Sequence, residues 1–410
     1  MKRLIAVGLL ALSLNAEDVA DSRRLHQQAL EARKAGDTKT FLEKLSAASA
    51  LRPQHPTLLV QLAAALAANG REAEAAKMLD RVAAMGMVYQ LEEPEFAKVP
   101  GLAALKERFA ANGRTIGTAR EELTVGRTAL IPEGMAYDAK GKRVFVSSVR
   151  TKTIFAVDPA GKVTEFAKAP WGAFGMSVDA KRGVLWATTT AMPVVEGFSE
   201  EEKGKSALLR IDLRSGKVLE TIAPPDGEAH QFGDVVVAPD GEVFISDSGA
   251  GVIYRLVGST LEPWLRGPFV SLQGLAPGRA VIYAADYSKG IVAIDRRTRD
   301  VHALRVPPTA SLLGVDGLYL ADATTLVATQ NGTYPNRVIR IRLAPSGMAV
   351  TSVETLLANA EGMADPTLGV IAGNRFLFNA NAQWELFGDD GKIADPLKLE
   401  EAVVLSVPVR

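Results

Sequence analysis

Cysteine is absent from this 410-residue chain. That excludes disulfides, thiolate metal sites, a thiol nucleophile and a lipid-modified N-terminal cysteine. Net charge is absent as well, because 47 Lys and Arg balance 47 Asp and Glu. Chains that bind nucleic acid normally carry a basic stripe, so no nucleic-acid partner is expected. Histidine is scarce: four residues, at positions 26, 55, 230 and 302, too scattered for an imidazole metal cluster. His230 precedes a strand in a polar loop, where a solvated side chain is the expectation. No apolar run reaches the ~18 residues of a membrane-spanning helix. There is no nucleophile elbow, Walker loop, zinc HExxH helix or Gly-rich dinucleotide fingerprint.

What is present is ordinary globular material, 47% hydrophobic and 23% charged, enough for a large core. Lys2 and Arg3 precede an apolar run over 4–14, and Asn15 and Ala16 follow. A basic head, a short apolar stretch and a small terminal residue read as an export signal over 1–16. A periplasmic or secreted location is the expectation.

Two periodicities divide the remainder. Over 17–112, apolar residues recur three and four apart among Ala, Leu, Glu, Lys and Arg, a helical pattern. Gly36 and Gly70 stand 34 residues apart, each followed by a charged residue. With Ala29 and Ala63 at matching places and Leu51-Arg52-Pro53 ending the first unit, this resembles about two tetratricopeptide repeats. Such helices imply a protein partner; a plain pair of helical hairpins docked on the next domain is the other reading. A linker is expected over 113–125.

From 126 to 410 short β-branched and aromatic runs alternate with turn residues. Six segments open alike: PEGMAYD, AFGMSVD, FGDVVVAPDG, LQGLAPG, VDGLYLAD and EGMADP, each followed by a turn and a further strand. They recur at roughly 40 to 60 residues, the period of propeller blades. The chain is therefore read as mainly β, a six-bladed β-propeller preceded by a small helical domain. AVVLSVPVR is expected to pair near 118–130 and close the ring. Trp171, Trp186, Trp264 and Trp384 are expected to pack between blades.

In a propeller the innermost strands start around the central channel. Glu133, Phe174, Gly233 with Asp234, Gln273, Asp316 and Glu361 occupy these starts. Carboxylates forced together there repel unless a cation holds them. Ca²⁺ suits such a set, since it accepts carboxylate, amide and water oxygens in flexible geometry. The bland alternative is that acids beside glycine only cap turns.

PEGMAYD, GDVVVAPDGEVFISDS, LQGLAPG with VIYAAD, and VDGLYLAD resemble, in that order, blade motifs of the senescence marker protein, gluconolactonase and luciferin-regenerating enzyme family. The resemblance covers about 128–390. It implies Glu133, Gln273 and Asp316 as ligands of Ca²⁺ or another divalent cation, with Asp316 also the general base. It implies a small lactone or ester as substrate. Two positions depart from the family, Gln273 and Gly233, each standing where it has Asn. Asp234 and Glu361 are read as contacts to substrate hydroxyls. The expected activity is a calcium-dependent lactonase-type hydrolase. The alternatives are a non-catalytic propeller whose helices help bind a protein or glycan, and a structural module of an envelope complex.

Overall fold

The computed structural model describes residues 16–409; the export signal read over 1–16 lies almost wholly outside them. Five helices come first: α1 (Ala16–Lys34), α2 (Thr38–Leu51), α3 (Pro56–Ala68), α4 (Glu72–Ala84) and α5 (Leu102–Asn112). Gly36 and Gly70 end α1 and α3 with φ of 77° and 71°, a left-handed conformation glycine adopts without a Cβ penalty. Asp37 accepts from the Thr40 amide at 3.0 Å and caps α2. Ala29, Ala63, Ala75 and Leu79 are fully buried, so the paired helices meet on their small and apolar faces.

Six four-stranded antiparallel sheets follow. The inner strands are Pro132–Asp138, Gly172–Asp179, Phe232–Val237, Leu272–Pro277, Val315–Asp322 and Gly369–Ala372, here blades 1 to 6. The sixth blade takes its outermost strand, Arg120–Thr124, from before the first blade, paired with Val403–Pro408. That strand lies inside the segment read as linker, because ring closure requires chain from both ends. An apolar cluster fills each gap between neighbouring blades. The closing gap joins Met135, Val146 and Phe155 to Leu377 and Val404. Trp186 and Trp264 sit in these gaps as expected; Trp171 and Trp384 do not.

The helices are strapped onto one face of blades 4 and 5. Arg81 Nε donates to Pro308 O at 2.7 Å and Gln54 Nε2 to Val306 O at 2.9 Å. Val88 N donates to Tyr334 O at 3.0 Å. Arg337, 2% exposed, donates to Met85 O at 2.9 Å, and burial lowers its pKa to about 10.

The inner strands crowd the axis. A Cβ at Gly134 would stand 2.0 Å from Phe174 O, and one at Gly274 2.6 Å from Asp316 O. At Gly233 a Cβ would meet only Ser246 Oγ, at 3.4 Å. Gly134→Ala and Gly274→Ala are therefore expected to lower the unfolding free energy by about 1–3 kcal/mol. Gly233→Ala should change it by less than about 0.5 kcal/mol. Urea titration of the three variants tests the contrast, and equal losses at all three would contradict the crowding.

Candidate functional site

In blades 1 to 5 the ladder between the inner strand and its neighbour skips two residues, after the first pair in four blades and after the second in blade 2. The skipped pairs are Glu133-Gly134, Phe174-Gly175, Gly233-Asp234, Gln273-Gly274 and Asp316-Gly317. A bulge frees a side chain from the pleat and re-aims it. Hydroxyls on the second strand hold three of these bulges. Ser147 Oγ accepts from Gly134 N at 2.7 Å, Ser246 Oγ from Asp234 N at 2.9 Å and Thr329 Oγ1 from Gly317 N at 2.9 Å.

Glu133, Gln273 and Asp316 thereby line one cavity of about 330 Å³ at a mouth of the channel, with Tyr287, Asn331, Asp365 and Trp384. No Lys, Arg or His is among its lining residues. Glu133 Oε2 accepts from Trp384 Nε1 at 3.1 Å, and Asp316 Oδ2 from Asn331 Nδ2 at 2.9 Å. Asp365 Oδ2 accepts from Trp384 N at 3.1 Å. Gln273 Nε2 donates to Ser271 Oγ at 3.2 Å, which leaves its carbonyl oxygen for a ligand. Among the described residues each carboxylate has one hydrogen-bond donor, and it is several such donors that hold a buried carboxylate in its charged form.

The electrostatics follow from this shortage. Burial, then repulsion from Asp316, pushes Glu133 well above the usual carboxylate range despite the Trp384 hydrogen bond. Glu133 is half-buried and lines the cavity. Burial raises Asp316 to about 7; the Asn331 hydrogen bond opposes this and Asp365 adds to it. Asp365 is raised mainly by burial.

Two residues read as substrate contacts lie elsewhere. Glu361 is exposed and does not line the cavity. The letters Glu361-Gly362-Met363 repeat Glu133-Gly134-Met135, but the sixth inner strand begins only at Gly369, and Asp365 reaches the cavity instead. Asp234 occupies the glycine position of its bulge and points into the channel below the mouth. Its oxygens accept from Val235 N at 2.9 Å and Leu275 N at 3.0 Å; burial first, then Asp316, raises it to about 7. It borders a second cavity of about 350 Å³. His230 is not solvated. It is 4% exposed, its ring nitrogens 2.6 Å from Asp247 and 2.7 Å from Asp226. Burial works against its charge, but the two carboxylates outweigh that and raise its pKa.

Asn331 and Tyr287 are not singled out by the sequence, and Trp384 is read there as blade packing. A usable signal exists for the first two. Antiparallel pairing returns the end of the second strand to the mouth, so residues just after it, such as Tyr287 and Asn331, face the inner-strand starts.

The donor set fits a hard divalent cation. Two carboxylates and the Gln273 carbonyl are oxygen ligands of the type Ca²⁺ takes. Asn331 Oδ1 is buried without a hydrogen-bond partner, an orphan that a cation would satisfy. Among the described residues, no three Asp, Glu or His side chains gather closely enough to hold a metal by themselves, so amide oxygens and water would complete any such site.

Glu133, Asp234 and Asp316 have folded-state pKa values above their unfolded ones. Their stabilising contribution is complete below the ordinary carboxylate range and is lost as pH rises through the raised values, about 7 for Asp234 and Asp316. In chelator, the urea midpoint should fall between about pH 5 and pH 8, and Asp316→Asn should flatten the fall. A midpoint that rises over that interval would contradict the assignment.

A scan against protein-family models finds no match, and a search of curated proteins finds none. Solved structures do match. A gluconolactonase from Xanthomonas campestris aligns with a TM-score of 0.51 at 18% identity, over 73% of this chain and 93% of that one. A putative gluconolactonase aligns with 0.51 at 18%, over 72% and 95%. A luciferin-regenerating enzyme aligns with 0.50 at 14%, over 71% and 95%. At these identities the likeness is one of fold: the chain carries a propeller built like those of gluconolactonases and luciferin-regenerating enzyme.

Proposed function

We propose that this chain is an exported, divalent-metal-dependent hydrolase of a lactone or related ester. One observation carries the reading. Glu133 and Asp316, far apart in sequence, share a cavity in which burial raises both, with repulsion from Asp316 adding at Glu133 and from Asp365 at Asp316, and with no basic side chain in its lining. The fold shared with gluconolactonases supports it, and the basic and apolar N-terminal residues support export.

Glu133, Gln273 and Asp316 would hold the cation, with Asn331 Oδ1 a further oxygen; when bound, it polarises the ester carbonyl and stabilises negative charge on its oxygen. Asn331 holds Asp316 by Oδ2 and leaves Oδ1, which makes no hydrogen bond among the described residues. Oδ1 takes the proton from a water as the water oxygen bonds to the carbonyl carbon. The carbon–oxygen ester bond then breaks, and the same proton passes to the leaving alkoxide. Products are a carboxylic acid and an alcohol, joined in one molecule when the substrate is a lactone. Trp384 Nε1 fixes the Glu133 carboxylate, and the Trp384 and Phe174 side chains help wall the cavity from bulk water.

The non-catalytic alternative draws on one observation, the bare Gly233. The space there is open and its φ ordinary, so Gly233→Asn should add an amide to the cavity without strain.

Ca²⁺ should raise the melting temperature of the wild type and not of Glu133→Gln. Asp316→Asn should lower kcat for an aldonolactone by about 10²–10⁴-fold. Gly233→Asn should raise turnover. Hydrolysis that survives both chelation and Asp316→Asn would eliminate the proposal.

A further inference from the structure

A larger cavity, about 870 Å³, lies between the helices and the propeller mouth. It shares Tyr287, Asn331, Asp365 and Trp384 with the smaller one, so the two are neighbouring parts of one site. Its two walls differ in charge. The propeller side brings Asp365 and Glu385, and the helical side brings Arg23, His26, Arg52 and His55.

Arg23 and Arg52 are drawn together by one turn of blade 4. Arg23 Nη2 donates to Ser288 Oγ at 3.2 Å and Arg52 Nη2 to Ser288 O at 2.6 Å. Among the described residues neither forms an ion pair with a carboxylate. Each guanidinium has five donors, and these two bonds leave most of them unused. Arg52 is 9% exposed. Burial, then repulsion from Arg23, lowers its pKa to about 10; Asp286 opposes this weakly. The Asp286 oxygens are turned to backbone instead, accepting from Val270 N at 2.7 Å and Ser288 N at 3.0 Å.

The start of α3 adds to the field. His55, Pro56, Thr57 and Leu58 line the cavity, and the first turn of α3 has no acidic residue. A helix N-terminus carries partial positive charge. His55 Nδ1 accepts from Leu58 N at 3.4 Å, and burial followed by the arginines lowers its pKa to about 3. The ring is neutral, so the positive charge here belongs to the two guanidiniums. The His26 ring is hydrogen-bonded to Gln61 Oε1.

We propose that Arg23, Arg52 and the start of α3 form an anion subsite, which takes a carboxylate or phosphate on a ligand whose other end reaches Glu133 and Asp316. The ligand class is a sugar acid or sugar phosphate. Which end reacts rests on the hydrolase reading; the anion subsite does not. Two guanidiniums held together without an acid repel, and a planar oxyanion would join them through paired N–H donors. The helices thus supply half of the site's recognition, and the propeller supplies the carboxylates.

The test is calorimetric binding to the full chain at low salt, with D-glucuronate, D-glucose 6-phosphate and D-glucose as probes. At least one anion should bind about tenfold more tightly than glucose, and added salt should weaken it. Preference for glucuronate identifies a carboxylate as the natural group, and preference for glucose 6-phosphate identifies a phosphate. Arg23→Gln and Arg52→Gln should each weaken the anion about tenfold, while Arg23→Lys restores part of the loss. Melting curves confirm that the variants are folded; Arg23, exposed at the helix surface, is the safer of the two. The assay reads binding alone, so absent hydrolysis does not count against the subsite. Glucose binding as tightly as both anions, no anion binding at all, or affinity unchanged in both glutamine variants would overturn the proposal.

Discussion

The inner strands of the propeller run so close to one axis that glycine is required beside the positions aimed at it. Phe174 O lies where a Cβ of residue 134 would be, and Asp316 O crowds residue 274 in the same way. That crowding gathers Glu133, Gln273 and Asp316 from separate blades into one small volume. Five bulges then release the side chains toward the axis, and Ser147, Ser246 and Thr329 hold three of the bulged amides. The six apolar clusters between blades keep the ring closed, so the carboxylates cannot relieve their repulsion by moving apart.

The consequence is a charge imbalance built into rigid structure. Three acids meet at the mouth and a fourth, Asp234, lies beneath, with Trp384 and Asn331 as the main side-chain donors. Such a group either keeps protons that an exposed acid would release or takes up a cation. Across the larger cavity two arginines are held together on the helical side. The helices are anchored to blades 4 and 5 by backbone carbonyls at Ser288, Val306 and Pro308, so the opposed walls keep a fixed relation.

Much of this was legible in the sequence because blade grammar is local. Alternating strands, glycine at the hairpins and the acid-glycine pairs at 133–134 and 316–317 carry their meaning within a few residues. The blade count and the closing partner of AVVLSVPVR followed. The sixth opening was misassigned because Glu361-Gly362-Met363 copies the letters of the first without its bulge; Thr367 and Leu368, not an acid-glycine pair, precede that inner strand. Asp234 lines the second cavity and not the one at the mouth, because sequence does not say which residue of a bulged pair faces the mouth. Trp384 looked like blade packing, since its partner Glu133 is 251 residues away. Arg23 and Arg52 gave no signal at all, because their meaning depends on where the helices dock.

In the proposed hydrolase, Glu133 and Asp316 share one site in which protons and a cation compete. Calorimetric titration with Ca²⁺ near pH 7, repeated in buffers of different ionisation enthalpy, counts the protons released on binding. Binding with net proton release is expected in the wild type, with the release reduced in Asp316→Asn. Binding with no proton release, or identical release from both proteins, would contradict it.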